Sequence, residues 1–158
     1  MLQKRTPQRR YAMLKSTLLV VLSSAFVASQ MTDFFEGCVE PGQKRDSGDC
    51  TLAPQTWLSS NAYRHYAHLA LANASIQPDE GNLNTLLEMT RIATQLAEGF
   101  ILKFEFTTVE SSCNSSVAYS EEQCPPLGSE ANGHCQAMFR HYGVMRLEQA
   151  WCVPRTKE

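Results

Sequence analysis

No apolar run in this chain reaches the ~20 residues that a membrane-spanning helix requires. It also has no close Cys-x-x-Cys pair, no His-x-x-x-His or His-Glu-x-x-His element, no Gly-x-Ser-x-Gly turn and no glycine-rich phosphate loop. These gaps count against zinc ribbons, zinc proteases, serine hydrolases and nucleotide-binding folds. Four histidines, His65, His68, His134 and His141, are scattered through the chain, and no third metal ligand flanks the His65/His68 pair. Glu121 and Glu122 stand side by side in a coil-like stretch, where such a pair reads as a solvated surface. Catalysis needs a nucleophile, a base and an orienting group within reach of one another. No such set emerges, so neither enzymatic activity nor a cofactor or metal is expected.

Positive charge is also scarce. The whole chain has 14 Lys and Arg against 16 Asp and Glu. Residues 1–29 hold five of the basic residues (Lys4, Arg5, Arg9, Arg10 and Lys15), followed by the apolar run Ser16 to Ala28, "STLLVVLSSAFVA". This is the pattern of a secretory signal peptide, with Val27-Ala28-Ser29 as the small-residue cleavage pattern. Its removal leaves nine basic against 16 acidic residues, a net charge of −7. An acidic mature chain of this kind is a poor partner for nucleic acid or an anionic membrane.

All six cysteines, Cys38, Cys50, Cys113, Cys124, Cys135 and Cys152, lie beyond that segment. An even number in a secreted chain points to three disulfides, for which 15 connectivities exist. Pairing Cys38 with Cys50 closes a loop within residues 30–56, a turn-rich arm, and leaves the later four to pair among themselves. The sequons at Asn73 and Asn114 are candidate glycosylation sites and fit a secreted, extracellular protein.

From residue 57 the pattern turns regular. "WLSSNAYRHYAHLALANAS" has helical spacing, with Leu58, Ala62, Tyr66, Leu69 and Asn73 as its stripe and Ser59, Ser60 or Asn61 as the cap. Pro78 and Gly81 stop it. Only strands are expected afterwards: "LNTLLEMTRIATQ", "FILKFEFTTVESS" and a pair turning near His141-Tyr142-Gly143. In the second, Phe100, Leu102, Phe104 and Phe106 alternate with Ile101, Lys103 and Glu105. In the last, Met145, Leu147, Gln149 and Trp151 are expected on one face. The fold class is α+β: one N-terminal helix packed on an antiparallel sheet of four to five strands. Residues 1–29 form the signal peptide, 30–56 the arm and 57–158 the helix-and-sheet domain.

Four features carry a family resemblance: "AHLALANAS", the hairpin "TQLAEGFILKFEF", the stretch "VESSCNSSVAYSEEQC" and the spacing of the last four cysteines. Together they resemble the type 2 secreted cystatins, inhibitors of papain-like cysteine proteases, and among these most nearly the salivary cystatins of ticks. The resemblance implies a cystatin-like fold, disulfides Cys113–Cys124 and Cys135–Cys152, and by elimination Cys38–Cys50, a pair that cystatins do not usually have. It further implies that the arm and two hairpin tips form a wedge in the cleft of a protease such as cathepsin L, S, B or C. Access is then blocked without chemistry.

The family's Gln-x-Val-x-Gly loop falls on Gln95, Leu96, Ala97, Glu98 and Gly99. Ala97 stands where valine is usual. The second tip has His141 and Tyr142 where the family has Pro-Trp. The arm's glycine position falls near Thr51 and Leu52, with Gly48 the nearest glycine. Ala97, Glu98, the missing arm glycine and the extra Cys38 and Cys50 support an alternative reading: a cystatin-fold binding protein that has lost protease inhibition and acts on a host or cell-surface partner. A monomer is expected, with a domain-swapped dimer, exchanging helix and first strand, as the other state.

Overall fold

The computed structural model describes residues 31–44, 46 and 48–155; the expected signal peptide lies outside them. In chain order the elements are strand β1 (Cys50–Leu52), helix α1 (Asn61–Leu71), and strands β2 (Asn82–Leu96), β3 (Phe100–Asn114), β4 (Gly133–Tyr142) and β5 (Val144–Pro154). The strands form one antiparallel sheet in the order β1-β2-β3-β4-β5. No helix among the described residues is long and apolar enough to cross a membrane. The disulfides are Cys38–Cys50, Cys113–Cys124 and Cys135–Cys152.

Helix α1 starts after Ser60, whose extended backbone occupies the cap position without a side-chain hydrogen bond. The buried face differs from the expected stripe. Tyr63, Tyr66, Ala67, Ala70 and Leu71 pack on the sheet, whereas Leu69 and Ala62 point outward. The two small alanines let the helix backbone approach the sheet, and the aromatic rings fill the space around it. Tyr66 stacks on Phe104 and meets Phe139 edge-on. An apolar residue every three or four positions on both sides of α1 makes its face ambiguous in sequence; the sheet resolves it.

Strand bulges reset the side-chain alternation. In β2, register shifts at Leu86/Glu88 and Met89/Arg91 insert extra residues. Leu86, Met89 and Ile92 thereby all reach the helix side, three apart rather than two. In β5 the shift opposite Met138/Phe139 makes Glu148 the extra residue. Met145, Leu147, Ala150 and Cys152 pack on the helix side, while Trp151 packs on the other. The uniform alternation expected for β5 therefore fails at Glu148, because one inserted residue exchanges the faces of everything beyond it.

The helix-free face is also covered. Residues 101–106 of β3 are all buried, including Lys103 and Glu105. The cover is the arm, whose composition is turn-rich. It adds β1 to the sheet edge and lays Phe34 and Phe35 on a second apolar cluster with Cys50, Ala93, Leu52, Met138 and Trp151. Domain residues and arm residues thus share one compact unit.

Beside those two rings lies an ionic cluster built on the buried Glu105 and reaching the surface at Arg91 and Asp33. Arg91 donates to both carboxylate oxygens of Glu105, through Nε at 2.8 Å and through Nη2. Thr90 Oγ1 and Gln136 Nε2 donate to the same carboxylate at 2.9 Å each. Gln136 then ties in the arm. Its Nε2 donates to Asp33 Oδ1 at 2.8 Å, and its Oε1 accepts the Phe34 N–H at 2.8 Å. Arg91 also lies over the Phe35 ring, 4.4 Å from its centroid. Burial pushes the Glu105 pKa up, but the bonds from Arg91, Gln136 and Thr90 outweigh it and hold the group at about 2.

On the opposite face, His68 sits 8% exposed, its Nδ1 2.6 Å from the Tyr119 hydroxyl and its Nε2 3.2 Å from Glu121 Oε1. Tyr119 in turn bonds Thr85 at 2.8 Å. This chain pins the Cys113–Cys124 loop against α1. Burial lowers the His68 pKa, an effect that the Glu121 carboxylate opposes.

Glu105 has a lower pKa folded than unfolded, so its stabilisation is complete above the ordinary value of 4.5 and is lost as pH falls toward 2. Thermal unfolding should show a loss of about 3 kcal/mol across that window, and Glu105→Gln should abolish the slope there. His68, with its lowered pKa, adds a separate loss of stability below its ordinary value of 6.5, which His68→Gln should remove. Phe34→Ala in urea unfolding should cost about 3 kcal/mol; a change below about 0.5 kcal/mol would show that the arm does not belong to the folded unit.

Candidate functional site

The antiparallel order brings the β2–β3 turn, the β4–β5 turn and the arm loop to the same end of the sheet. At the first tip, Leu96 and Phe100 are the last paired residues, and Ala97 N–H donates to Gly99 O at 3.1 Å. Glu98 and Gly99 both have positive φ, 45° and 106°. Glycine suits the second of these for two reasons. Besides its φ, a Cβ there would lie 3.0 Å from the His141 carbonyl and 3.2 Å from the Tyr142 ring. Glu98 holds the unusual conformation for an L residue, at the apex of the turn.

The second tip leans on the first. Tyr142 and Val144 pair across Gly143, which has φ 82°. Arg140, near the end of β4, donates from Nη1 to Ala97 O at 3.0 Å and Glu98 O at 3.3 Å. Its Nε faces both Glu148 oxygens, at 3.0 and 2.9 Å. The bonds to Glu148 raise the Arg140 pKa further, so its charge is permanent. Leu96, Tyr142 and Val144 are left 70%, 67% and 55% exposed, an apolar rim unusual for isolated strand ends.

The arm joins through Gln95. This residue lies within β2, opposite both Ile101 and Cys50, and its Nε2 donates to Gly48 O at 2.9 Å. Its amide is therefore engaged within the molecule. Gly48 has φ 95° and sits beside the first tip, whereas Thr51 and Leu52 are set back in β1 opposite Thr94 and Ala93. Leu52 packs into the arm cluster. Of the residues singled out from sequence, Gly48, Leu96, Ala97, Glu98, Gly99, His141 and Tyr142 are gathered at one end, Gln95 supports them from behind, and Thr51 and Leu52 lie further back.

Arg140 and Val144 were missed. A lone arginine at a strand end gives no motif, and its partners, two backbone carbonyls 42 and 43 residues earlier and a glutamate on a bulge, are set only by strand register.

Among the described residues, no three His, Cys, Asp or Glu side chains are grouped to hold a metal ion. Asn73 and Asn114 are both exposed. In each, the carboxamide oxygen accepts the N–H of the serine two residues on, Ser75 and Ser116, at 3.0 Å.

No protein-family model matches the chain. A sequence relative is mialostatin of Ixodes ricinus, 33% identical over 58 residues, which cover 35% of this chain and 41% of the relative, less than half its length. The crystal structure of mialostatin, a gut cystatin from that hard tick, superposes with TM-score 0.55 at 22% identity, covering 68% of this chain and 99% of that one. A salivary cystatin from the soft tick Ornithodoros moubata gives 0.56 at 21% identity, covering 68% and 99%. Dimeric human cystatin F gives 0.55 at 10% identity, covering 75% and 96%. The structural matches establish the cystatin fold. Over the 58 residues that align with mialostatin, the chain is also similar in sequence to a tick cystatin.

Proposed function

We propose that the protein is a secreted inhibitor of papain-like cysteine proteases, with cathepsins L, S, B and C as targets, and that it acts by filling the active-site cleft. The observation that carries this reading is the joint tip: Gly99 directly against His141 and Tyr142, with Leu96, Tyr142 and Val144 projecting from it. An exposed apolar edge on a rigid, hydrogen-bonded support loses little entropy on docking, which is what a blocking wedge requires. Nothing in the tip is placed to attack a substrate; its backbone is held in tight turns and its side chains offer shape.

Two features favour a second reading, a cystatin-fold binder of a host or cell-surface partner. Ala97 offers less apolar surface than valine, a difference on the order of 1 to 2 kcal/mol if buried in a complex. The Cys38–Cys50 link and the Gln95 bond to Gly48 also fix an arm that would otherwise adjust to its partner.

The decisive measurement is residual activity of cathepsins L, S, B and C against residues 30–158 of the protein. Inhibition is expected below micromolar concentration, and no inhibition at micromolar concentration removes the first reading. Gly99→Trp should weaken inhibition at least tenfold and lower the Tm, because a side chain there crowds the His141 carbonyl and the Tyr142 ring at a φ of 106° that strains any L residue. Ala97→Val should strengthen it by about fivefold to thirtyfold, the equivalent of 1 to 2 kcal/mol.

A further inference from the structure

We infer that Arg140 is a positioning residue that locks the two hairpin tips into one rigid wedge; its importance for inhibition rests on the function proposed above, but the lock itself does not. Four contacts converge on this guanidinium. Nη1 donates to the carbonyls of Ala97 and Glu98 at 3.0 and 3.3 Å, and Nε to the two Glu148 oxygens at 3.0 and 2.9 Å. Its outer face lies toward the Tyr142 ring, 5.8 Å from the centroid. The side chain is 18% exposed; its bond to Ala97 O is partly buried, while those to Glu98 O and Glu148 lie at the surface, where their directional geometry rather than burial holds the tips together.

The geometry gives each contact a purpose. A turn with consecutive positive φ at Glu98 and Gly99 turns its carbonyls out of the ladder, where they need a donor. Arg140 comes from the neighbouring hairpin, so satisfying them joins two turns that share no covalent path shorter than the length of β3 and the coil after it. Glu148 is necessary to this arrangement. Arg140 lies directly opposite Arg146 in the ladder, a like-charge pair that is unfavourable by itself. The β5 bulge makes Glu148 the inserted residue, and its carboxylate both neutralises Arg140 and aims the guanidinium fork at the first tip.

Lysine cannot replace this fork. An ammonium is a point donor without the planar spread that reaches the first tip and Glu148 together. Arg140→Ala removes the whole lock, and Arg140→Lys keeps the charge but not the bridge.

Amide hydrogen exchange on the intact protein tests the lock without reference to any protease. In Arg140→Ala and Arg140→Lys, the Ala97 amide, which donates to Gly99 O, should exchange at least tenfold faster, while ladder amides at Phe104 and Phe106 keep their rates. Unchanged exchange at the tip, or acceleration spread equally through the ladder, would overturn the inference. The same variants are then assayed for association rate with a cathepsin. A fall of about tenfold, with kon changed more than koff, is expected of a lost preorganisation. A faster tip with an unaltered association rate in an inhibitory protein would also refute the positioning role. If the unmodified protein inhibits no cathepsin, the functional proposal fails while the exchange result still decides whether Arg140 is the lock.

Discussion

The carboxylate of Glu105 organises the helix-free face of the sheet. A five-stranded sheet carrying one helix has a second face to cover, and β3, at its centre, gives Leu102, Phe104 and Phe106 to the helix-side core and buries Lys103 and Glu105 as well. On that second face the chain places a charge instead of a further apolar side chain. Such a charge is costly to bury unless it is fully paired. Arg91, Thr90, Gln136 and His134 surround it, and Gln136 passes the network on to Asp33 and the Phe34 backbone. The arm is therefore held by directional bonds as well as by its two phenylalanines, and its docking is specific to one register.

This docking has consequences at the far end of the sheet. Once Phe34 and Phe35 are seated and Cys38 is joined to Cys50, the loop between them has little freedom, and β1 pairs with the last residues of β2. Gln95 then meets Gly48. The tip end consists of three segments braced against each other: the arm through Gln95, the first hairpin through its own turn, and the second through Arg140. Rigidity of this kind favours fast, well-oriented docking on a partner whose shape already fits, and disfavours adaptation to one that does not.

Much of the fold was legible from sequence because its signals are local. The alternation in "FILKFEF" marks a strand, the break at Leu96 to Gly99 marks a turn, and both depend only on near neighbours. The two turns, the helix position and all three disulfide pairs agree with the expectations set by pattern and resemblance. The helix face is not legible in sequence, because Leu69 and Ala62 give a plausible stripe until the sheet selects Ala67, Ala70 and Leu71. The β5 phase is not legible either, because a bulge leaves no mark in composition.

The sequence by itself determined the α+β class, the position of the hairpin tips and the candidate contact residues at them, because hydrophobic period and turn chemistry act over a few residues. Only the tertiary structure decided that the arm packs as a second layer, that Gln95 is turned back onto Gly48, and that Arg140 joins the tips. Each of these depends on residues between about 40 and 100 positions apart meeting in space, and strand register, not local preference, sets which of them meet.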